Sequence, residues 1–220
     1  MKSVRVWDLP TRLFHWALVT AVVGLVITGN VGGEAMVWHF RLGYAVLTLV
    51  LFRICWGFIG GHWSRFTSFV HMPWTVWGYL RRRGGQDTPG HNPLGAYSVL
   101  GLLLVALAQA SAGLMSDDEI LAAGPLVAKV PPEWVSLASY LHTEVIKLVL
   151  IGLVLLHIAA ILWYRFKKDQ NLVKPMITGD KVVAVEVRPS RDDARTRLLA
   201  LVVLLVCAGV VASLVQWAQA

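Results

Sequence analysis

The sequence predicts an all-α integral membrane protein with five transmembrane helices, and composition is the first observation behind this prediction. Of its 220 residues, 56% are hydrophobic and only 15% are charged, whereas an ordinary soluble domain has about 25% charged residues. The mean hydropathy is +0.62. An uncharged stretch that is long enough to cross the lipid bilayer must be helical, because unpaired backbone groups are costly in the bilayer core.

Uncharged stretches also place the helices along the chain. The first has no Asp, Glu, Lys or Arg from Leu13 to Gly33, and because it is long and lacks a small-residue cleavage site we expect it to be retained rather than removed as a signal peptide. The second is the weakest by hydropathy, since only eleven uncharged residues separate Arg41 from Arg53. The predicted helices cover roughly 13–31, 38–60, 94–115, 141–165 and 198–220.

The positions of the basic residues predict the topology. They cluster before the first helix, between the second and third, where Arg81, Arg82 and Arg83 stand, and after the fourth, whereas the loops 32–37 and 116–140 hold only Lys129. By the positive-inside rule the N-terminus is cytoplasmic and the C-terminus, after a fifth helix, is periplasmic. The net charge of +7 is thus a topology signal, and no nucleic acid is expected as a partner.

Four of the seven histidines fall at two matched membrane depths. His142 and His157 share the fourth helix, and their spacing of fifteen residues gives about 22 Å of rise and about 60° of rotation, so both face broadly the same side. His39 matches His142 near the periplasmic end, and His15 matches His157 near the cytoplasmic end. We call His39 and His142 the outer pair, and His15 and His157 the inner pair.

Two levels of paired imidazoles in a helical bundle are what two bis-histidine b-type haems require, since each iron takes one axial ligand from each of two facing helices. A single membrane histidine would instead be read as a satisfied polar group. Gly43, Ala159 and Ala160 leave space for a flat macrocycle. No CxxCH motif is present, so covalently attached haem is not indicated.

Haem propionates are anions, and nearby arginines are their expected partners. Arg41 lies beside the outer pair and Arg12 beside the inner pair, with Arg53 and Lys147 as further candidates. The alternative for each is that a long side chain near a helix end snorkels to the interface. His91, at the start of the third helix, either binds a propionate, lines a quinone pocket or is simply a loop residue.

The loops carry three further expectations. Residues 63–83 resemble an amphipathic helix that contacts membrane lipid in the headgroup plane, with His71 as an interfacial polar residue. The acidic loop at 117–119 is either a docking surface for a basic periplasmic protein or a solvated loop. Residues 180–197 are expected to form a charged cytoplasmic linker with one short strand.

Several phrases of the sequence resemble one known family: VWDLPTRLFHW, WHFRLGY, GHNPLG, LHTEV, LLHIAA and NLVKPMITG. They are similar to the bacterial inner-membrane cytochromes b that include the b-type subunit of nickel-iron hydrogenases and small di-haem quinone-linked cytochromes. The resemblance implies a four-helix haem-binding bundle over residues 1–179, with His15, His39, His142 and His157 as the axial ligands of two haems b. The linker 180–197 and a fifth transmembrane helix, 198–220, depart from that pattern.

The resemblance also implies a function, namely electron transfer between the membrane quinone pool and a redox partner. That partner would be a c-type cytochrome, another periplasmic redox protein or a hydrogenase-like enzyme. Because haem itself supplies redox chemistry, no catalytic acid or nucleophile is needed, and whether the chain belongs to an enzyme stays open. The alternatives are a histidine-containing proton or metal-ion transporter and a passive membrane anchor.

Overall fold

The computed structural model describes residues 2–70, 72–81, 89–120, 122–183 and 186–220. The expectations for His71, Arg82 and Arg83 therefore lie outside the described residues. The helices are α1 (Leu9–Val31), α2 (Met36–Ile59), α3 (Phe66–Phe69), α4 (Pro73–Arg81), α5 (Pro93–Leu114), α6 (Pro132–Tyr140), α7 (Lys147–Lys167), α8 (Val173–Thr178) and α9 (Ala194–Gln219), and the strands are β1 (Lys2–Arg5) and β2 (Asp180–Val183).

The predicted number of spanning helices is confirmed. Five helices in the described part of the chain are long and apolar enough to cross a membrane: α1, α2, α5, the continuous helix from α6 to α7, and α9. A π-helical turn, Leu141–Ile146, joins α6 to α7. The chain is a multi-pass membrane protein.

All five of these helices begin earlier than hydropathy predicts, and the first and the fourth show why. The first starts at Leu9 because the Asp8 side chain accepts a hydrogen bond from the Thr11 amide at 2.8 Å and Pro10 occupies the first turn. The fourth starts at Pro132 rather than at 141, so the last part of the predicted outer loop is helical. Polar and charged residues in these first turns hide both starts from a hydropathy criterion.

The helices do not pack evenly around one axis. α2 lies centrally and packs against α1, α5 and α9, whereas α7 has its extensive contacts with α5. None of the residues of α7 is buried within the protein. The helix that carries His157 therefore makes no extensive contact with the α1–α2 hairpin in the described part of the chain.

A small platform of backbone and charged groups closes the inner end of the bundle, the end that holds the N-terminus. β1 pairs antiparallel with β2, with Lys2 opposite Val183 and Arg5 opposite Asp180. The predicted strand in the linker is thus confirmed, but the linker is anchored to the N-terminus. Sequence analysis did not anticipate this long-range pairing.

Asp192 is the ionic centre of this platform. Its carboxylate accepts hydrogen bonds from Arg5 at 2.6 Å and from Arg197 at 3.0 Å, and it lies 3.7 Å from Arg12. Burial raises the pKa of Asp192, but hydrogen bonds from Arg197 and the Leu9 amide, with the charges of Arg197 and Arg5, outweigh burial and lower the pKa below its ordinary value.

The segment expected to be one amphipathic helix is broken into pieces. A 3₁₀ turn at His62–Ser64 is followed by α3 and then by α4. Trp74 and Trp77 are 69% and 61% exposed, and the Arg81 guanidinium lies 4.9 Å from the centroid of the Trp77 ring. Exposed tryptophan beside arginine is typical of a segment in the lipid headgroup region.

Candidate functional site

The outer pair has a geometry that suits one metal ion between two rings. The ring centroids of His39 and His142 are 6.2 Å apart, and the ring planes are at 88° to each other. A metal bound at about 2 Å from one nitrogen of each imidazole puts the centroids about 6 Å apart. The spacing therefore fits axial ligation of one iron by both histidines.

Hydrogen bonds fix the orientation of both outer rings. Nδ1 of His39 lies 3.2 Å from the Thr28 hydroxyl oxygen, and Nδ1 of His142 lies 2.9 Å from the backbone carbonyl oxygen of Gln109. The Gln109 side chain also donates to the His142 carbonyl at 3.0 Å. A metal-binding histidine usually has its second nitrogen held in this way, because that bond sets the tautomer and the ring direction.

Two glycines give the outer rings their space. A Cβ at Gly29 would lie 3.1 Å from Cε1 of His39, and a Cβ at Gly113 would lie 2.8 Å from Cε1 of His142. Sequence reasoning did not single out either residue, although both stand on helices that flank the pair. A Cβ at Gly43, which was singled out, would meet nothing within 4 Å, so the backbone there is open to a ligand.

The backbone around His142 is unusual. His142 is the second residue of the π-helical turn, and π-helical turns are uncommon and frequent at functional sites. Such a turn takes up one more residue than an α-helical turn, so it changes the rotation between His142 and His157 from the value expected for a regular helix. The π turn is therefore part of how His142 is aimed at His39.

The inner pair is also brought together, but with less support. His15 on α1 and His157 on α7 are close enough for an electrostatic interaction. Nδ1 of His15 is buried and has no hydrogen-bond partner among the described residues, and its ring meets Trp16 edge-on with the centroids 5.1 Å apart.

Two further side chains, the buried Arg53 and the partly buried His91, lie near each other, and His91 is within electrostatic range of Arg53, His157 and His15. Arg53 is 3% exposed, and its guanidinium carbon lies 5.2 Å from the centroid of the Phe66 ring. The His91 ring lies between Trp7, at 4.7 Å, and Phe69, at 4.6 Å. Burial, with the nearby charge of Arg53, lowers the pKa of His91 to about 3, so its ring is neutral near pH 7.

Sequence reasoning gave both of these residues a secondary place. Arg53 was only a secondary candidate, and a loop role was one interpretation of His91. The available signal was positional, because His91 directly precedes the Asn92 that caps α5, and Arg53 lies in α2 as far from the inner end as His15 does in α1.

The basic residues predicted beside the pairs are placed differently from one another. Nη1 of Arg12 donates to the Ile177 carbonyl at 2.7 Å, and only its buried Nε lacks a partner among the described residues. Arg41 is exposed, with its guanidinium 5.0 Å from the Trp38 ring centroid. Lys147 is close enough to His142 for an electrostatic interaction.

Paired imidazoles at two positions between spanning helices define a class, the membrane cytochromes b. The donor set and the 6.2 Å spacing of the outer rings fit haem, and among the described residues there is no cluster of three or more His, Cys, Asp or Glu side chains suited to a metal ion. Residues 6–179 match the family model described as prokaryotic cytochrome b561. The chain belongs to this family.

Named relatives point in the same direction. The chain is 28% identical over 131 residues to a probable Ni/Fe-hydrogenase 1 B-type cytochrome subunit of Escherichia coli K12, which covers 46% of this chain and 55% of the relative. It is 30% identical over 130 residues to a probable Ni/Fe-hydrogenase B-type cytochrome subunit of Azotobacter vinelandii. This match covers 47% of this chain and 54% of the relative.

A similarly named subunit of Rhizobium leguminosarum bv. viciae is 24% identical over 216 residues, covering 82% of this chain and 90% of the relative. The matches thus span about half the length of the Escherichia and Azotobacter relatives. No solved structure matches the chain. The family match and these relatives identify the chain as a membrane b-type cytochrome.

Proposed function

We propose that this chain carries electrons across the bacterial inner membrane through two haems b, one ligated by the outer pair and one by the inner pair. The ring spacing of His39 and His142 is the observation that supports this proposal most directly. The two pairs are about 22 Å apart along the shared helix, which suits one site in each leaflet. Haem supplies one-electron redox chemistry when it is bound.

The residues of the chain would then hold and insulate the two cofactors. α1, α2, α5 and α7 form the four-helix haem-binding bundle over residues 1–179, and residues 180–197 lead to α9 as an added fifth helix. Two findings support this division: the family model ends at residue 179, and α9 packs on α2. The separation of α7 from the α1–α2 hairpin gives the macrocycles room.

The redox partners follow from the relatives and the predicted topology. Relatives named as hydrogenase subunits favour a nickel-iron hydrogenase as the electron donor or acceptor, with a c-type cytochrome or another periplasmic redox protein as the alternative. Membrane quinone is the second partner. The distribution of basic residues supports a cytoplasmic inner end and N-terminus and a periplasmic C-terminus.

Haem content and optical spectra test the proposal. We expect the purified protein to contain two haems per chain by pyridine haemochrome, all extractable with acid-acetone, and to show reduced b-type bands after dithionite. One haem per chain would contradict the two-site model. No haem would favour the transporter or the passive anchor instead.

A reporter fusion tests the orientation separately. A periplasm-specific reporter joined after Ala220 should be active, and the same reporter in the 61–93 loop should be inactive. Activity only of a cytoplasmic reporter after Ala220 would contradict the proposed topology.

A further inference from the structure

We propose that Arg53 and His91 together bind one carboxylate of the haem held by the inner pair. This inference rests on the proposed function, because it assigns a partner to a haem that the inner pair would ligate. The sequence prediction gave this role first to Arg12, with Arg53 as a further candidate and propionate binding as one of three interpretations of His91.

Arg53 carries a buried charge that the described protein does not neutralise. Nη1 of Arg53 has no hydrogen-bond partner among the described residues, and no carboxylate in them lies within 4.0 Å of its guanidinium. Removing an unpaired cation from water is strongly unfavourable. The site is therefore complete only when an anion binds to Arg53.

Asp8 is the carboxylate that acts on Arg53 electrostatically, but its oxygen atoms are engaged elsewhere. It accepts hydrogen bonds from the Thr11 amide at 2.8 Å, from the Gly61 amide at 3.1 Å and from the Ser64 hydroxyl at 2.8 Å. The Trp56 indole nitrogen lies 3.3 Å from both oxygens. Asp8 is thus a cap for α1 and a link to α2, and within the described residues it leaves Nη1 of Arg53 without a direct partner.

His91 supplies a second unpartnered nitrogen near Arg53, and this nitrogen is a donor in the tautomer that carries the proton on Nδ1. Nδ1 of His91 is buried and has no partner among the described residues, while Trp7 and Phe69 hold its ring on both sides. His91 is within electrostatic range of Arg53, His157 and His15. Two unpartnered nitrogens, one on a fixed cation and one on a fixed imidazole, therefore lie beside the inner pair.

The charge of Arg53 decides which ligand fits. A quinone carbonyl is neutral and would accept a hydrogen bond without balancing a buried guanidinium, whereas a carboxylate does both. Arg12 has Nη1 bound to the Ile177 carbonyl and lies 3.7 Å from Asp192, so it is already compensated. A haem carboxylate is the anion that ligation by the adjacent histidines would bring to Arg53.

The test uses Arg53→Gln, Arg53→Lys and His91→Gln in the intact protein, with Arg165→Gln as the matched control. Arg165 is an exposed arginine of α7 that pairs with Asp169. Haem content is measured first on every sample. If the unsubstituted protein does not bind two haems, the result counts against the proposed function and not against this inference. Potentiometric titration and infrared redox difference spectra of haem labelled with ¹³C in its carboxylates then follow.

Arg53→Gln should lower the midpoint potential of the inner haem, because a nearby cation favours the reduced form. The potential of the outer haem and both potentials of Arg165→Gln should stay unchanged. Arg53→Lys should leave the midpoint potential of the inner haem close to that of the unsubstituted protein, since lysine keeps the charge. It should still shift the labelled carboxylate bands, because lysine lacks the planar donor pair of arginine. His91→Gln should shift the same bands.

A lowered inner potential without movement of the labelled bands would overturn the inference and indicate a different ligand, such as a quinone. Unchanged potentials and bands would overturn it as well. If Arg53→Gln does not assemble, Arg53→Lys decides: unmoved labelled bands in that variant contradict the proposal, and shifted bands support it.

Discussion

The outer and inner histidine pairs share one bundle but differ in how the protein supports them. Both outer rings have Nδ1 held by a neighbouring helix, and each faces a glycine. In the inner pair, Nδ1 of His15 has no partner among the described residues. Nη1 of Arg53 and Nδ1 of His91 also lack partners among the described residues, and His91 is within electrostatic range of both inner histidines.

This difference indicates two ways of building a cofactor site. At the outer site the protein has already fixed the ligand rings, so the ligand adds little to their order. At the inner site the described residues leave three nitrogens without a partner, on His15, Arg53 and His91, whereas at the outer site they leave Oε1 of Gln109, so a bound anion would satisfy more of the inner site. Because hydrogen bonds to the ligating side chains and burial tune haem potentials, we expect the two sites to have different potentials.

The largest effect should come from double substitutions of histidine. His15→Ala with His39→Ala takes one ligand from each site and should remove both haems. His39→Ala with His142→Ala should leave one haem and cost little more than the worse single substitution, because the two residues act on one site. Pyridine haemochrome measures the content, and equal losses in both double variants would contradict the pairing.

A smaller but still site-specific loss is expected from crowding an outer ring. Gly113→Val should deplete the outer haem and spare the inner one, since even a Cβ at this position would lie 2.8 Å from His142. Gly101→Val on the same helix is the control, because a Cβ there meets nothing within 4 Å. If both variants lose haem equally, the glycine is not a cradle for the ring.

A substitution in the ionic platform around Asp192 should lower stability only at the inner end of the bundle. Asp192→Asn should lower the local opening free energy of β1 and β2 by about 1 to 2 kcal/mol, because hydrogen bonds to charged groups contribute roughly this much after solvent screening. Hydrogen exchange of these strands measures the change. Asp169→Asn is the control, since the side chain of Asp169 is 97% exposed and forms only a surface pair.

The same carboxylate gives a pH dependence with a definite sign. The pKa of Asp192 is lowered in the folded protein, so its contribution is present above its unfolded pKa of about 4 and is lost as pH falls through the folded value. Protection of β1 and β2 should therefore decrease on acidification below about pH 4 in the native protein. If Asp192→Asn decreases as steeply, another group is responsible.

The smallest effect should be a shift in potential without loss of haem. Thr28→Val removes the hydroxyl that lies 3.2 Å from Nδ1 of His39 and should move only the outer potential. Thr20→Val is the matched control, because Thr20 donates to the Trp16 carbonyl on the same helix. A shift of the inner potential by Thr28→Val would contradict the separation of the two sites.

The spanning helices were predictable because, in lipid, every backbone polar group of a span must be hydrogen-bonded within the protein, which requires a helix. The residues at which these helices start were harder to predict. Even so, Asp8 before Pro10 is a recognisable N-terminal helix signal, and so is Pro132 followed by Glu133. The pairing of β1 with β2 joins residues about 180 positions apart. No local pattern of four residues specifies such a partner.

The candidate site divides in a similar way. Matching histidine depths follow from helical rise, so the pairs could be proposed from spacing alone. The π turn under His142 and the burial of Arg53 depend on how neighbouring helices pack, which spacing does not contain. His91 was ambiguous because a loop residue is buried only when other segments cover it, here Trp7 and Phe69.

The central claim is that each histidine pair ligates one haem, and potentiometric titration of the four single histidine-to-alanine variants tests it most directly. His39→Ala and His142→Ala should lack the same redox component, and His15→Ala and His157→Ala should both lack the other. Arg165→Ala should retain both components. If His15→Ala and His39→Ala lacked one common component while keeping the other, the pairs as assigned would be wrong.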